Sequence, residues 1–170
     1  MNRSEQGEAL SGMIDDAFAK AVWPEPQNLV PHPLPRPFGA DHRDREEPSI
    51  RANFCGKYQS DLTRLNGEML EEFLSMTGPA VKYYLPCFLK HVVDFQRADF
   101  ITVISLINFL DLEKSAAQGF MWPRFYDAEK AAVLAFVDYV MRHIRSYHFD
   151  EFEVEYLKQL QTVRQQWKHL

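Results

Sequence analysis

The sequence predicts an all-α fold, a single-domain bundle of about six or seven helices with a proline-rich strap between the first two. Three observations support this prediction. Apolar residues recur at steps of three and four along most of the chain, as on one face of an α-helix. Capping residues and prolines mark the ends of these segments. The 170 residues, of which 46% are hydrophobic, are enough for one domain, residues 1–170, that needs no disulfide.

The first helix is predicted from about Glu8 to Val22, because the following Trp23-Pro24 disfavours helical backbone. The segment 24–40 then has prolines at positions 24, 26, 31, 33, 35 and 37, a spacing that favours extended, polyproline-type backbone. We expect this strap to lie against the helices through four apolar residues. They are Leu29, Val30, Leu34 and Phe38.

Two helices are predicted between the strap and residue 77. The charge cluster Asp41–Glu47 is expected to face solvent, and the second helix either starts at Pro48 or begins earlier with a kink there. Gly56 ends this helix, and Thr63 is the expected N-cap of the third. The inward residues of the second helix are Ile50 and Phe54, with Cys55 as a further candidate. Those of the third are Leu65, Met69, Leu70, Phe73, Leu74 and Met76, and its solvent side is Glu68, Glu71 and Glu72.

The segment Gly78–Leu112 is the most apolar part of the chain and is predicted to form its core. Its first half begins a helix at Gly78-Pro79, because proline fits the first turn. The inner stripe of this helix is Val81, Leu85, Phe88, Val92 and Phe95. The opposite line is Lys82, Pro86, Lys90 and Asp94. Pro86 is therefore expected on the solvent side of a bent but continuous helix.

The second half of this segment, Phe100–Leu112, is apolar nearly all round and is therefore expected to be mostly buried. The run of β-branched residues Ile101–Ile104 also suits a buried strand, and periodicity alone does not separate the two structures. We favour a helix.

Two more helices are predicted after an aromatic connection at residues 119–126. Asp127 is the expected N-cap of a helix over Ala128–Ile144, whose inner residues are Val133, Val137, Val140, Met141 and Ile144. In the last helix, Asp150 and Glu153 have the spacing of a capping box. Its inner stripe is Phe152, Tyr156, Leu160, Val163 and Trp167.

Charge and cysteine content narrow the classes of function. A net charge of −5 gives no electrostatic reason to expect nucleic acid as a partner. Cys55 and Cys87 are too few for a disulfide framework and are expected to be reduced. Residues 1–10 lack the apolar core of a signal peptide, and no segment reaches the roughly 20 apolar residues of a membrane span. We therefore expect a cytoplasmic protein without membrane contact.

The best candidate for chemistry is the edge formed by Cys87, His91 and Asp94, beside Tyr83. A cysteine near a histidine can supply a thiolate nucleophile or part of a zinc site. Side chains on successive turns of one helix point outward side by side, however, whereas a catalytic base is aimed at its nucleophile by separate elements. No CxxC, HExxH, GxSxG or glycine-rich phosphate motif is present. We therefore expect no catalytic residue, no metal and no cofactor.

A second candidate site is the aromatic loop, residues 120–126. The binding residues would be Trp122, Phe125, Tyr126 and Tyr83, because aromatic side chains often anchor an interface or form the floor of a pocket. The other interpretation is a hydrophobic plug between two helices, and we favour it.

Four segments resemble a family of small, uncharacterised bacterial proteins that share a domain of unknown function. The segments are AFAKAVWP in the amphipathic N-terminal helix, FCGKYQSDL, YYLPCFL in the kinked central helix, and YDAEKAAVLAFVDYV after the aromatic turn. The resemblance spans about Ala17 to Val140. It implies a bacterial, cytoplasmic protein and assigns no catalytic residue.

Two functions from different classes follow from these features. The leading interpretation is a non-enzymatic protein-interaction module, such as an antitoxin-like or immunity-type inhibitor of a basic partner, or a homodimer. The alternative is a small enzyme or ligand-binding protein that uses the Cys87 edge or the aromatic loop. A closed, concave pocket containing Cys87, His91 or Asp94 would favour the alternative, and a convex surface would remove its support.

Overall fold

The computed structural model describes residues 2–30, 40–62, 64–94 and 98–170, with the backbone alone for 40–46. Within these residues there is no strand, and the predicted all-α bundle is confirmed, with eight α-helices where six or seven were expected. They are α1 (Arg3–Phe18), α2 (Ala40–Phe54), α3 (Gly67–Glu72), α4 (Gly78–Val93), α5 (Phe100–Leu110), α6 (Leu112–Ala117), α7 (Asp127–Arg142) and α8 (Glu153–His169). Short 3-10 turns occur at Pro26–Asn28, Gln59–Asp61, Phe73–Ser75, Ile144–Tyr147 and Asp150–Phe152.

Helix α4 forms the centre of the bundle, with α1, α5 and α7 packed against it. The Thr77 hydroxyl caps its first turn by accepting the Ala80 amide at 3.3 Å. Pro86 is buried, so its predicted position on the solvent side is wrong. The reason is that neighbouring helices cover more than one face of α4. The helix continues through the proline, as predicted, whereas Phe95 of the predicted stripe lies outside the described residues.

Helix α1 begins and ends earlier than the sequence predicted. A capping box starts it, in which the Asn2 side chain accepts the Glu5 amide at 2.9 Å and the Glu5 carboxylate accepts the Asn2 amide at 2.8 Å. The buried residues of the helix are Leu10, Ile14 and Phe18. After Phe18 the chain turns, so Val22 is 79% exposed and does not face the core.

Helix α1 also lies against α7. The side-chain oxygen of Gln6 is 3.1 Å from the imidazole Nε2 of His143, and the Arg3 guanidinium donates to the Ser146 hydroxyl. These contacts join the first helix to residues that come more than a hundred positions later in the chain.

The strap is attached to the start of α4. Leu29 and Val30 are buried, and the carbonyls of Asn28 and Leu29 accept the hydroxyl and the amide of Thr77 at 2.6 and 2.8 Å. The predicted contact with the helices is confirmed for Leu29 and Val30, although Pro26–Asn28 forms a 3-10 turn and not extended backbone. The other two predicted contacts, Leu34 and Phe38, lie outside the described residues.

Helix α2 begins before Pro48, so of the two predicted starts the earlier one is correct. Ile50 and Phe54 are buried, as expected. Gly56 follows the helix with a φ of +72°, a value that glycine adopts without strain. Most of the predicted charge cluster, residues 41–46, has no described side chains.

Asn66 is the N-cap of helix α3, and its side chain accepts the Met69 amide of the first turn at 3.0 Å. Thr63, the predicted N-cap, lies outside the described residues. Glu72 is buried, although it was predicted to face solvent. Its carboxylate accepts the Asn53 amide at 2.9 Å and the Ser49 hydroxyl. Because α2 packs against α3, this side of α3 faces protein and not water.

Helix α5 confirms the choice of a helix over a buried strand. Asp99 caps it, since its carboxylate accepts the amide and the hydroxyl of Thr102 at 2.8 and 2.7 Å. Burial raises the pKa of Asp99, but the hydrogen bonds from Thr102 outweigh burial and hold the pKa below its usual value.

Asp99→Ala is expected to lower the free energy of unfolding by about 1 kcal/mol at neutral pH, because the cap is lost. The pKa of Asp99 is about 3.9 in the unfolded state and lower than this in the folded state. The stabilisation by the ionised carboxylate is therefore fully present above the unfolded pKa and is lost as the pH falls through the folded pKa. Urea unfolding in neutral and in strongly acidic buffer should therefore show that the difference in the free energy of unfolding between the wild type and Asp99→Ala is smaller in acid. Glu68→Ala, on the exposed side of α3, is the control. A difference that did not change with pH would contradict the role of the ionised carboxylate.

Helix α7 begins at Asp127, so the predicted N-cap is instead its first residue. The Glu129 carboxylate accepts the Tyr126 amide at 2.7 Å and thereby caps the helix. Glu129 is buried and pairs with Lys82 of α4 at 2.8 Å. The Lys82 ammonium also donates to the Arg124 carbonyl at 3.0 Å and lies 4.4 Å from the centre of the Tyr126 ring. This buried ion pair attaches the start of α7 to α4.

Helix α8 covers α5 and α7. Leu160, Val163 and Trp167 of the predicted stripe are buried, and Tyr156 is partly buried. The Trp167 indole N–H donates to the Leu110 carbonyl at 2.8 Å, so the last helix is hydrogen-bonded to the end of α5.

The start of α8 differs from the prediction. A 3-10 turn precedes the helix, and the side chains of Asp150 and Glu153 do not form the predicted capping box. Asp150 has a φ of +46°, and Glu153 pairs instead with Arg145 at 3.4 Å. Phe152 is 46% exposed and so does not belong to the inner stripe.

Candidate functional site

The predicted chemical edge lies in a groove beside α4. The groove has a volume of about 1180 Å³ and is bounded by α1, residues 58–62, residues 64–65 and α4. Its lining contains the three residues of the edge, Cys87, His91 and Asp94, together with Tyr83. The other lining residues are Ser11, Tyr58, Gln59, Ser60, Leu62, Arg64, Leu65 and Lys90. The groove is concave but open, so it is neither a closed pocket, which would favour an enzyme or ligand-binding protein, nor a convex surface, which would remove the support for one.

Gln59 forms the wall of this groove opposite α4. Its side-chain amide donates to the Tyr83 carbonyl at 2.5 Å, and its own carbonyl accepts the Cys87 thiol at 4.0 Å. On the other side, Lys90 pairs with Asp15 of α1 at 2.5 Å. Gln59 and Asp15 could not be identified from the sequence, because no local pattern connects them with α4.

Cys87 is not an activated nucleophile in this setting. Burial raises the pKa of its thiol to about 11, and the nearby Lys90 offsets only part of that effect. Such a thiol stays protonated at neutral pH, whereas the thiolate is the form that attacks electrophiles and binds metals. Among the described residues, no three His, Cys, Asp or Glu side chains are placed to hold a metal ion. The groove therefore offers a shape and polar groups for binding.

The aromatic loop packs inward and fills the space between α5 and α8. Phe125 is buried, and the centre of the Trp122 ring lies 4.8 Å from that of Phe109 and 5.3 Å from that of Trp167. The Trp122 indole N–H donates to the Ser115 hydroxyl at 2.7 Å. These contacts are those of a hydrophobic plug, the interpretation that we favoured from the sequence.

The two tyrosines of the candidate binding set have separate surroundings. Tyr126 is 62% exposed and lies beside the Lys82 ammonium. Tyr83 lines the groove, where its ring centre is 4.9 Å from that of Tyr84. Since Trp122 and Phe125 pack into the core, the structure does not bring the four aromatic residues together as one binding surface.

No protein-family model, no curated protein and no solved structure matches the chain. The resemblance to a bacterial family therefore stays a prediction. None of the described helices is long and apolar enough to cross a membrane.

Proposed function

We propose that the protein is a non-enzymatic interaction protein that binds a basic partner protein, in the manner of an antitoxin or an immunity-type inhibitor. The observation that carries this proposal is the burial of Cys87, which is 9% exposed, because burial raises the pKa of the best candidate nucleophile and so favours its protonated form. The groove around it is open, so bound molecules stay in contact with water. The net charge of −5 favours a basic partner through long-range attraction. The setting that we propose is the bacterial cytoplasm, which suits two free cysteines.

The alternative function is ligand binding or catalysis in the groove. It is favoured by one observation, that Tyr83, Cys87, His91 and Asp94 line the same concave surface. Cys87→Ala distinguishes the two functions, since it removes the thiol from the groove and leaves the outer surface of the protein unchanged.

The proposed function is tested by capture of partners from the native cells, followed by reconstitution. Each captured protein is purified alone, and its affinity for this protein is measured by calorimetry at two salt concentrations. We expect a basic protein that binds with micromolar or tighter affinity and more weakly in high salt, because screening reduces attraction between opposite charges. Cys87→Ala should bind it with unchanged affinity.

Two results would overturn the proposal. The first is that no captured protein binds again once purified, or that the one that binds is acidic and insensitive to salt. The second is that Cys87→Ala abolishes binding while its thermal unfolding matches the wild type, which would favour the alternative function in the groove.

A further inference from the structure

The groove beside α4 has two tyrosines at one end, Tyr58 and Tyr83, which both line it. Gln59, the residue after Tyr58, joins them. Its backbone amide donates to the Tyr83 hydroxyl at 3.4 Å, and its side-chain amide donates to the Tyr83 carbonyl at 2.5 Å. We call Tyr58, Gln59 and Tyr83 the aromatic end of the groove. Because one residue holds both tyrosines, their positions relative to each other are fixed by the fold.

The ring of Tyr58 is supported from one side. Its centre lies 5.4 Å from that of Trp23, and the two ring planes are tilted by 30°. The Trp23 indole N–H donates to the Lys57 carbonyl at 2.9 Å, and the Asp61 carboxylate accepts the Tyr58 amide at 2.7 Å. Tyr58 is nevertheless 56% exposed. A ligand can therefore stack on an aromatic ring that is already held in place, which reduces the entropy lost on binding.

The other end of the groove is charged, but its charges balance. A rise of about 1.5 Å per residue places Lys90 about 10 Å from Tyr83 along the axis of α4. Lys90 pairs with Asp15 of α1 at 2.5 Å, so its charge is compensated within the protein. Among the described lining residues, the other Arg, Lys, Asp or Glu side chains are Arg64 and Asp94, one of each sign. The groove therefore gives no electrostatic preference for an anion or a cation.

The openness and polarity of the groove select the class of ligand. An apolar ligand needs a pocket that buries most of its surface, which an open groove does not provide. The lining offers the amide of Gln59 and the hydroxyls of Ser11 and Ser60, which donate and accept hydrogen bonds. A sugar matches this setting, because its hydroxyls also donate and accept. The C–H groups on one face of a sugar ring are attracted to the negative face of an aromatic ring.

We infer that the groove binds a neutral oligosaccharide. One sugar ring stacks at the aromatic end, on Tyr58 and Tyr83. Further rings extend along α4 toward Lys90, since the groove is longer than a single sugar unit, and their hydroxyls exchange hydrogen bonds with Ser11 and the other polar side chains of the lining. This inference goes beyond the proposed function and does not rest on it, because a sugar in the groove leaves the outer surface of the protein to its partner.

The probes for the test are cellotetraose, maltotetraose and chitotetraose, each titrated into the full-length protein in a calorimeter. At least one is expected to bind, with the same affinity at low and high salt, because no ion pair forms. Tyr58→Ala should weaken binding by about tenfold or more, or about 1.4 kcal/mol. Tyr58→Trp should preserve it, because an aromatic face remains. The matched control is Tyr126→Ala, which removes a tyrosine that is 62% exposed and does not line the groove.

Three results would overturn the inference. None of the three tetrasaccharides could bind with a Kd below about 1 mM. The control Tyr126→Ala could lose as much affinity as Tyr58→Ala, or binding could weaken in high salt, which would indicate a charged contact. If Tyr58→Ala unfolds the protein, Ser60→Leu decides instead, because a bulky apolar side chain at this exposed lining position should block the groove. Unchanged binding by Ser60→Leu would then place the sugar elsewhere and contradict the inference.

The natural partner separates this inference from the proposed function. If the purified partner binds Tyr58→Ala as tightly as the wild type while the tetrasaccharide does not, both hold. If the partner binds but no tetrasaccharide does, the inference fails and the proposed function stands. If a tetrasaccharide binds in the groove but no basic partner binds, the proposed function fails and the sugar site remains.

Discussion

Trp167→Ala is expected to lower the free energy of unfolding by about 3 to 5 kcal/mol, the range for removing a large aromatic side chain from a core. The ring is 1% exposed, and its centre lies 5.0 Å from that of Phe125. Its loss would open a cavity between α5, α8 and the aromatic loop. It would also leave the Leu110 carbonyl, now 2.8 Å from the indole nitrogen, without this buried donor.

Urea unfolding followed by circular dichroism measures this effect. Trp167→Phe is the matched variant, because it keeps much of the apolar volume and removes only the N–H donor, and so it should lose less stability than alanine. Lys168→Ala, at the exposed neighbouring position, should change little. A loss below about 1 kcal/mol for Trp167→Ala would mean that α8 does not complete the core.

Glu129→Ala is expected to destabilise the protein by about 3 kcal/mol or more, because it leaves the Lys82 ammonium in a largely buried site without its partner. The side chains of Lys82 and Glu129 are 15% and 2% exposed, so water does little to replace the lost charge. The variant also loses the acceptor for the Tyr126 amide at the start of α7.

The double variant Lys82→Met with Glu129→Met tests the physical reason. Because replacing both charges by apolar side chains removes the unpaired charge, the double variant should be clearly more stable than Glu129→Ala. Asp127→Ala is the control, since Asp127 pairs with Lys130 on the surface and its loss should have little effect. If the double variant is as unstable as the single one, packing and not charge accounts for the loss. Thermal unfolding of Glu129→Ala, the double variant and Asp127→Ala measures these differences in stability.

The spacing of apolar residues in the sequence was sufficient to predict which side chains point inward, provided that the helix presents only one apolar face. The stripe of α8 from Tyr156 to Trp167 and the inner residues of α7 were predicted on this basis, and the inward packing of the aromatic loop was the favoured interpretation. Pro86 shows where such patterns fail. A line of polar residues predicts solvent only if no other helix covers that side, and α4 is covered on several sides. Glu72 fails for the same reason, because α2 supplies its hydrogen-bond partners.

The candidate site could be predicted only in part. Cys87, His91 and Asp94 share an edge beside Tyr83 because helical spacing places them there, and all four line one groove in the structure. The opposite wall depends on Gln59, which reaches α4 through a tertiary contact that has no local signal. The start of α8 was also beyond prediction, since His148 and Asp150 have left-handed backbone on either side of the buried Phe149, and no local pattern in the sequence indicates this.

The packing of α1 against both α4 and α7 has a consequence for synthesis on the ribosome. Helix α1 is made first, but its contacts with His143 and Ser146 exist only after α7 has been made. At typical rates of translation, the chain from Phe18 to Arg142 takes on the order of ten seconds to emerge. During that interval the side of α1 that packs against α7 stays uncovered, even after α4 has been made. We therefore expect the nascent chain to bind chaperones that recognise short apolar segments, and its folding yield to depend on them more than its final stability does.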